Sequence, residues 1–138
     1  MQFKRFLTAG ALLFLGCQRP RDLSIVPGST VVDLRISVSQ SIFHLAGPLG
    51  VLVVQTCDTW ARGVHEFYWE IEGKESVREV HYGSVPPGYT EVAPARSLEP
   101  SGCFVAFDGA AAGLFFVSDS IGRIGAVTES VARRMTGR

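Results

Sequence analysis

Turn signals recur at close spacing along this chain, and they decide its fold class. Gly47-Pro48, Gly73-Lys74 and the stretches 83–88, 109–113 and 119–122 cut the sequence into segments too short for a long helix. Between these breaks the apolar residues follow a period of two, or form short Val-rich runs, as strands do. With a hydrophobic content of 46% and a charged content of 19%, the chain has the material for one core.

Residues 30–39 read as a half-buried strand, with Val32, Leu34, Ile36 and Val38 on one face and Asp33, Arg35 and Ser37 on the other. Residues 41–46 are predicted as a short second strand. The nearly continuous apolar run 49–56 predicts a central strand covered on both sides. Residues 64–72 alternate again. His65, Phe67, Trp69 and Ile71 share one face, with Phe67 and Trp69 inward, while Glu66, Tyr68, Glu70 and Glu72 share the other. Residues 77–82 are expected as the hairpin partner of that strand, and 89–92 as an edge strand. The loop 94–102 leads into strands at 103–107, 114–117 and 124–127. Seven or eight short strands predict an all-β fold, a two-sheet antiparallel β-sandwich of immunoglobulin or fibronectin-like kind, with an eight-stranded barrel as the rival. The tail 129–138 is expected to start a short helix, with Arg133 and Arg134 as solvated charge.

The first seventeen residues read differently. Lys4 and Arg5 precede an uncharged apolar run from Phe6 to Gly16, and Gly16 precedes Cys17. A basic start, a short apolar stretch and a small residue at the cut describe a secretory leader. The run is shorter than the roughly 20 apolar residues of a membrane-spanning helix. Leu13-Phe14-Leu15-Gly16-Cys17 resembles the lipobox of bacterial lipoproteins, with Phe14 where the family usually carries Leu. The resemblance implies cleavage before Cys17 and acylation of its thiol, so that membrane lipid is the first partner. Gln18, where Asp would resemble an inner-membrane retention signal, points to the outer membrane and a domain facing the periplasm. The expected organisation is a signal peptide at 1–16, a lipidated tether at 17–29, the sandwich at 30–128 and the tail at 129–138.

With Cys17 acylated, Cys57 and Cys103 form an even pair. Disulfides persist in exported proteins, so a Cys57–Cys103 bridge is expected, the alternative being two buried reduced thiols. No CxxC or Cys-His spacing marks a zinc site.

Residues 82–89, Tyr-Gly-Ser-Val-Pro-Pro-Gly-Tyr, are stiffened by the two prolines, and Gly88 permits a positive φ. Tyr82, Pro86, Pro87 and Tyr89 are the candidate binding ledge, the alternative being a structural corner. Together with Trp69-Glu70-Ile71, Pro94-Ala95, Leu98 and Gly102-Cys103-Phe104-Val105, this segment resembles small bacterial envelope lipoproteins with a YGxVPPG-aromatic string. That resemblance implies an all-β domain and carries over no functional residue. Cys103 stands where an aromatic residue is commoner in that family.

Catalytic motifs such as GxSxG, HExxH, a Walker loop, GxGxxG and SxxK are missing from the sequence, as is any cofactor fingerprint. His81 is expected opposite Glu66 or Tyr68 as a surface pair, and Ser118, Asp119 and Ser120 as a turn with no histidine beside it. Formal charge is zero and falls slightly once Lys4 and Arg5 leave, which excludes a general nucleic-acid binder. The expectation is therefore a lipid-anchored, non-catalytic envelope module that binds a protein or glycan or serves a structural role. The alternatives are a small envelope hydrolase or enzyme inhibitor, or an accessory subunit of a secretion or pilus-type assembly.

Overall fold

The computed structural model describes residues 21–40, 47–108 and 113–137. Its elements, in chain order, are β1 (Arg21–Ile25), β2 (Arg35–Gln40), β3 (Gly47–Pro48), β4 (Val51–Thr56), α1 (Cys57–Ala61), β5 (Trp69–Gly73), β6 (Ser76–Val77), β7 (Glu79–His81), β8 (Tyr89–Ala93), β9 (Cys103–Phe107), β10 (Leu114–Ser118), β11 (Ile124–Val127) and α2 (Glu129–Met135). The signal-peptide region and Cys17, the strand expected at 41–46 and most of the turn at 109–113 lie outside the described residues.

The protein is mostly β, in two antiparallel sheets consistent with a sandwich. A small sheet has the order β1-β2-β7, and a large one has the order β11-β10-β9-β4-β5-β8. A two-residue ladder joins β3 to β6. Alternation in β2 aims Ile36 and Val38 at the large sheet, together with Leu34 and Val80. They meet Leu52 and Val54 of β4, Trp69 and Ile71 of β5, Phe104 and Ala106 of β9, and Phe116 of β10. Burying a side chain such as Leu52 or Phe104 stabilises the fold by roughly 1.5–3 kcal/mol.

The large sheet is also covered on its outer face. Cys57, Val105, Phe115 and Ala132 form a second cluster there, with Trp60 and Val127 packed on it. Two short helices supply the cover, each started by a threonine. The Thr56 hydroxyl accepts from the Thr59 N–H (3.2 Å), and the Thr128 hydroxyl accepts from the Val131 N–H (3.3 Å). Trp60 meets Phe115 edge-on at 4.9 Å, and the Arg133 guanidinium lies 4.6 Å above the Trp60 ring. Arg133 is therefore a packing residue as well as a surface charge. The β4 expectation holds: residues 52–55 are all buried.

Several expectations change. Val32 is 92% exposed at the tip of a turn, because Thr30 and Asp33 bond to each other and close the chain before β2 begins. Residues 64–68 are not strand. Thr56 ends β4 in a helix cap, and the Gln55 amide donates to the Val64 carbonyl (3.4 Å), holding the following loop. Trp69 is fully buried as expected, whereas Phe67 is half-buried outside the core clusters.

Residues 77–82 do not form a hairpin with β5. β6 pairs with β3, and β7 pairs with β2 in the opposite sheet. The place beside β5 goes to β8, whose Tyr89 ring lies so close over Gly73 that a Cβ there would sit 2.5 Å from it. The region read as a tether contributes β1, which pairs with β2 along its length. The eleven strands among the described residues exceed the expected seven or eight, and two of them are two residues long.

The sandwich has two ends, fixed by register. Arg21 pairs with Gln40, and Arg78 lies level with Val38, which puts Glu75 and the residues touching it at the Arg21 end. The Gly88 backbone, Tyr89 and the β4 entry at Leu49 belong to this proximal end. At the distal end, Val26 bonds to Arg35, Ile124 to Ser29, and Cys57 is joined to Cys103.

Candidate functional site

The candidate site at the proximal end is shaped by the 82–89 segment. Gly88 has φ +81°, and the Tyr89 N–H donates to the Pro86 carbonyl (3.1 Å). With Pro87 second and Gly88 third, residues 86–89 form a type II turn, the arrangement that proline followed by glycine favours. A Cβ on Gly88 would collide with the Glu75 side chain, so glycine is required for space as well as for φ.

The two tyrosines point inward and act as bolts. The Tyr82 hydroxyl donates to the Arg96 carbonyl (2.7 Å), with the Tyr68 carbonyl 3.2 Å away, and its ring meets Trp69 edge-on at 5.2 Å. Burial pushes the Tyr82 phenol well above its ordinary pKa of 10.0. The Tyr89 hydroxyl donates to the Glu75 carbonyl (2.6 Å) and accepts the Leu49 N–H (3.1 Å). What remains open to a ligand is the proline side of the turn. Pro86 is half-buried and Pro87 exposed, and with Glu75, Ser76 and Val77 they line a shallow depression of about 440 Å³. A second, open depression of about 810 Å³ shares Glu75 and Gly88 and carries Glu72, Lys74 and Asp108.

The remaining sequence candidates fall elsewhere. His81 does not face Glu66. It sits on β7 with Nε2 3.6 Å from Glu79 Oε1 and Nδ1 4.0 Å from Asp33 Oδ1, opposite Arg35. The cause is the crossing of β7 to the small sheet. Glu66 instead pairs with Arg96 (3.3 Å). Arg96 lies 5.5 Å above Tyr68, whose hydroxyl donates to Glu99 (2.8 Å). Burial first, and the Glu99 hydrogen bond second, raise the Tyr68 pKa. Glu70 and Glu72 share the outward face of β5 as expected, whereas Glu66 lies in the loop before it.

At the distal end the Cys57–Cys103 disulfide is formed, with the two Cα atoms 5.4 Å apart. It joins the end of β4 to the start of the neighbouring β9, beside a depression of about 410 Å³ that Met135 also lines. Ser118 is committed to structure. Its hydroxyl donates to the Glu99 carbonyl (2.7 Å) and accepts the Gly102 N–H (2.8 Å). Asp119 holds the next turn, accepting from the Ile121 N–H (3.1 Å), the Arg123 N–H (2.8 Å) and the Arg123 side chain (2.8 Å). The Arg123 backbone bond above all, then its side chain, pulls the Asp119 pKa down.

Sequence reasoning missed Glu75, which ties both depressions to Tyr89, and it missed α1. The signal for α1 was local: Thr56 with Asp58 two residues later is a cap followed by first-turn acid. Glu75 left no local signal, because its role depends on a contact with Gly88. Among the described residues, no three of His, Cys, Asp and Glu are grouped to hold a metal, and no helix is long and apolar enough to cross a membrane. No protein-family profile, curated protein or solved structure matches the chain.

Proposed function

We propose that this chain is a bacterial envelope lipoprotein, held by acyl chains on Cys17, whose domain acts without catalysis as a binding or structural module. The observation that carries the reading is the leader, in which a basic start and an apolar run end at Gly16-Cys17. The Cys57–Cys103 bridge supports it, since such bonds persist outside the reducing cytoplasm. Two or three acyl chains, at ~0.8 kcal/mol per buried methylene, anchor firmly where one does not. The module is placed at the outer membrane facing the periplasm, with an envelope protein or glycan as its partner.

For the finer fold, we propose an immunoglobulin or fibronectin-like sandwich in the architectural sense. Two antiparallel sheets around a buried Trp69 support this. The disulfide ties the first residue of α1, directly after β4, to β9 of that same sheet, whereas antibody domains bridge two sheets. The likeness is therefore of layers and not of the antibody core.

Intact-mass measurement on protein extracted from native membranes tests the function. Loss of the first sixteen residues and a gain of fatty-acyl mass are expected, and Cys17→Ser abolishes both. Native protein that retains its initiator methionine and carries no acyl mass overturns the reading.

A further inference from the structure

We infer that the sandwich stands on its proximal end, with the Pro86-Pro87 turn against the bilayer and the turns carrying Val32 and Ile121 held away from it. The inference rests on the lipid-anchor reading above and deepens it by assigning a membrane-facing surface. Its first support is the short connection between anchor and fold. Arg21 is already paired with Gln40 in the sheet, and it stands only four positions after Cys17. At ~3.3–3.6 Å per residue, four Cα steps reach at most about 14 Å. A folded partner of 100 residues, with a radius of gyration of about 13 Å, is too thick to enter that gap. The surface that can occupy it is the bilayer itself.

Register then says what meets the bilayer. Arg21 lies at the end of the sandwich that carries Glu75, Gly88 and the type II turn. Pro87 is exposed there, Val85 is 38% exposed, and Lys74, Glu72 and Glu75 are exposed beside them. Such a mix of apolar and charged groups suits a headgroup layer. The candidate ledge thus becomes a membrane contact and not a protein-binding shelf.

β1 runs away from this end for about 13 Å at ~3.3 Å per residue. Beyond it, two turns are cross-linked by backbone bonds from Val31 N–H to Gly122 O (2.8 Å) and from Ile124 N–H to Ser29 O (3.0 Å). They hold Val32 and Ile121, the two most exposed large aliphatic side chains among the described residues.

The test uses the mature, lipidated protein in phosphatidylethanolamine–phosphatidylglycerol vesicles doped with a nitroxide-headgroup lipid. A fluorophore is placed without reductant, so that the disulfide stays closed. At Pro87→Cys, and independently at Lys74→Cys, quenching is expected to be several-fold stronger than at Val32→Cys or Ile121→Cys. A long Gly/Ser insertion after Pro20 brings the proximal quenching down toward the distal value. Equal quenching at both ends, or stronger quenching at the tip, overturns the orientation while the anchor stands. Proximal quenching that survives the longer tether overturns the argument from tether length. Protein without acyl mass that stays off the vesicles overturns the anchor reading instead.

Discussion

The two ends of the sandwich are held by different physics. At the distal end a disulfide joins α1 to β9, the Ser118 hydroxyl bonds two backbone groups, and the Asp119 carboxylate gathers a turn. These are a covalent link, two neutral hydrogen bonds and a charge-assisted turn, and each adds a bond. At the proximal end, close packing depends on side chains that are missing. Gly73 lies under the Tyr89 ring, and Gly88 lies against Glu75. One hydroxyl, that of Tyr89, ties the β4 entry to the 75–76 backbone. The difference teaches that losing a bond is the distinctive threat at the distal end, whereas at the proximal end it is adding an atom, a sensitivity that Gly102 and Gly122, each with a side chain within 3 Å of a Cβ, carry to the distal end as well.

The most severe way to break the distal end is to open Cys57–Cys103. The bridge closes a loop with a sequence separation of 46, for which loop entropy predicts a loss of about 4 kcal/mol. Cys57→Ala/Cys103→Ala should lower the urea midpoint accordingly, and dithiothreitol should do the same to the parent protein. A change near zero would mean that packing of Trp60 and Ala132 on Val105 and Phe115 holds this end unaided.

At the proximal end the largest effect should come from adding one carbon. Gly88→Ala must place an L residue at φ +81° and displace Glu75. The expected cost is about 2 kcal/mol from the left-handed conformation and the displaced contact. Gly50→Ala is the control, since its φ is +72° but nothing lies near a Cβ there. If both cost the same in urea melts, only the backbone matters and the space argument fails.

The sequence showed these two ends unequally. The disulfide, the stiff prolines with a positive φ allowed at Gly88, and strands at 103–107, 114–117 and 124–127 were legible because each depends on residues close in sequence or on a countable pair. The layering of Trp69 and Ile71 was legible from alternation. What stayed hidden was long-range partner choice. Nothing local tells residues 76–81 to leave β5 and cross to the small sheet, because Val77 and Val80 satisfy either pairing. His81 therefore lies across from Arg35 on the small sheet and not opposite Glu66 or Tyr68. Val32 fitted the alternation perfectly and still became a turn tip, because backbone bonds between Thr30 and Asp33 outweigh one apolar side chain. The role of Glu75 could not be read at all, since it appears only where Gly88 comes to rest.

Tyr82 tests the middle ground, where the 82–89 segment crosses between the ends. Tyr82→Phe keeps the ring on Trp69 and deprives the Arg96 carbonyl of its donor, at an expected cost of about 1 kcal/mol. Burial of the phenol raises its pKa and so adds a pH signature. A phenol whose folded pKa lies above 10.0 contributes its full stabilisation below pH 10. As pH rises further the unfolded chain ionises first, so stability falls. Phenolate absorbance from Tyr82 should accordingly appear together with unfolding and not before it. Early ionisation of all three tyrosines would show that this segment is looser than its hydrogen bonds imply.

The smallest effect belongs to Asp119, and it separates the ends most cleanly. Its folded pKa lies below the ordinary 3.8, chiefly because the Arg123 N–H and side chain bond to the charged form. The stabilisation is therefore present above about pH 3.8 and is lost as pH falls through the lower folded value. The side chain is partly exposed at a surface turn, so water screens it and global stability should barely change. The signal is local. Amide exchange at Ile121 and Arg123, corrected for intrinsic pH dependence, should lose protection in acid, and Asp119→Asn should remove that pH dependence at once. The Tyr89 amide in the proximal turn is bonded to a carbonyl and should show no such step. If Tyr89 and Ile121 lose protection together, the ends open as one unit, and the division drawn between bonds added and side chains omitted does not describe how this sandwich holds.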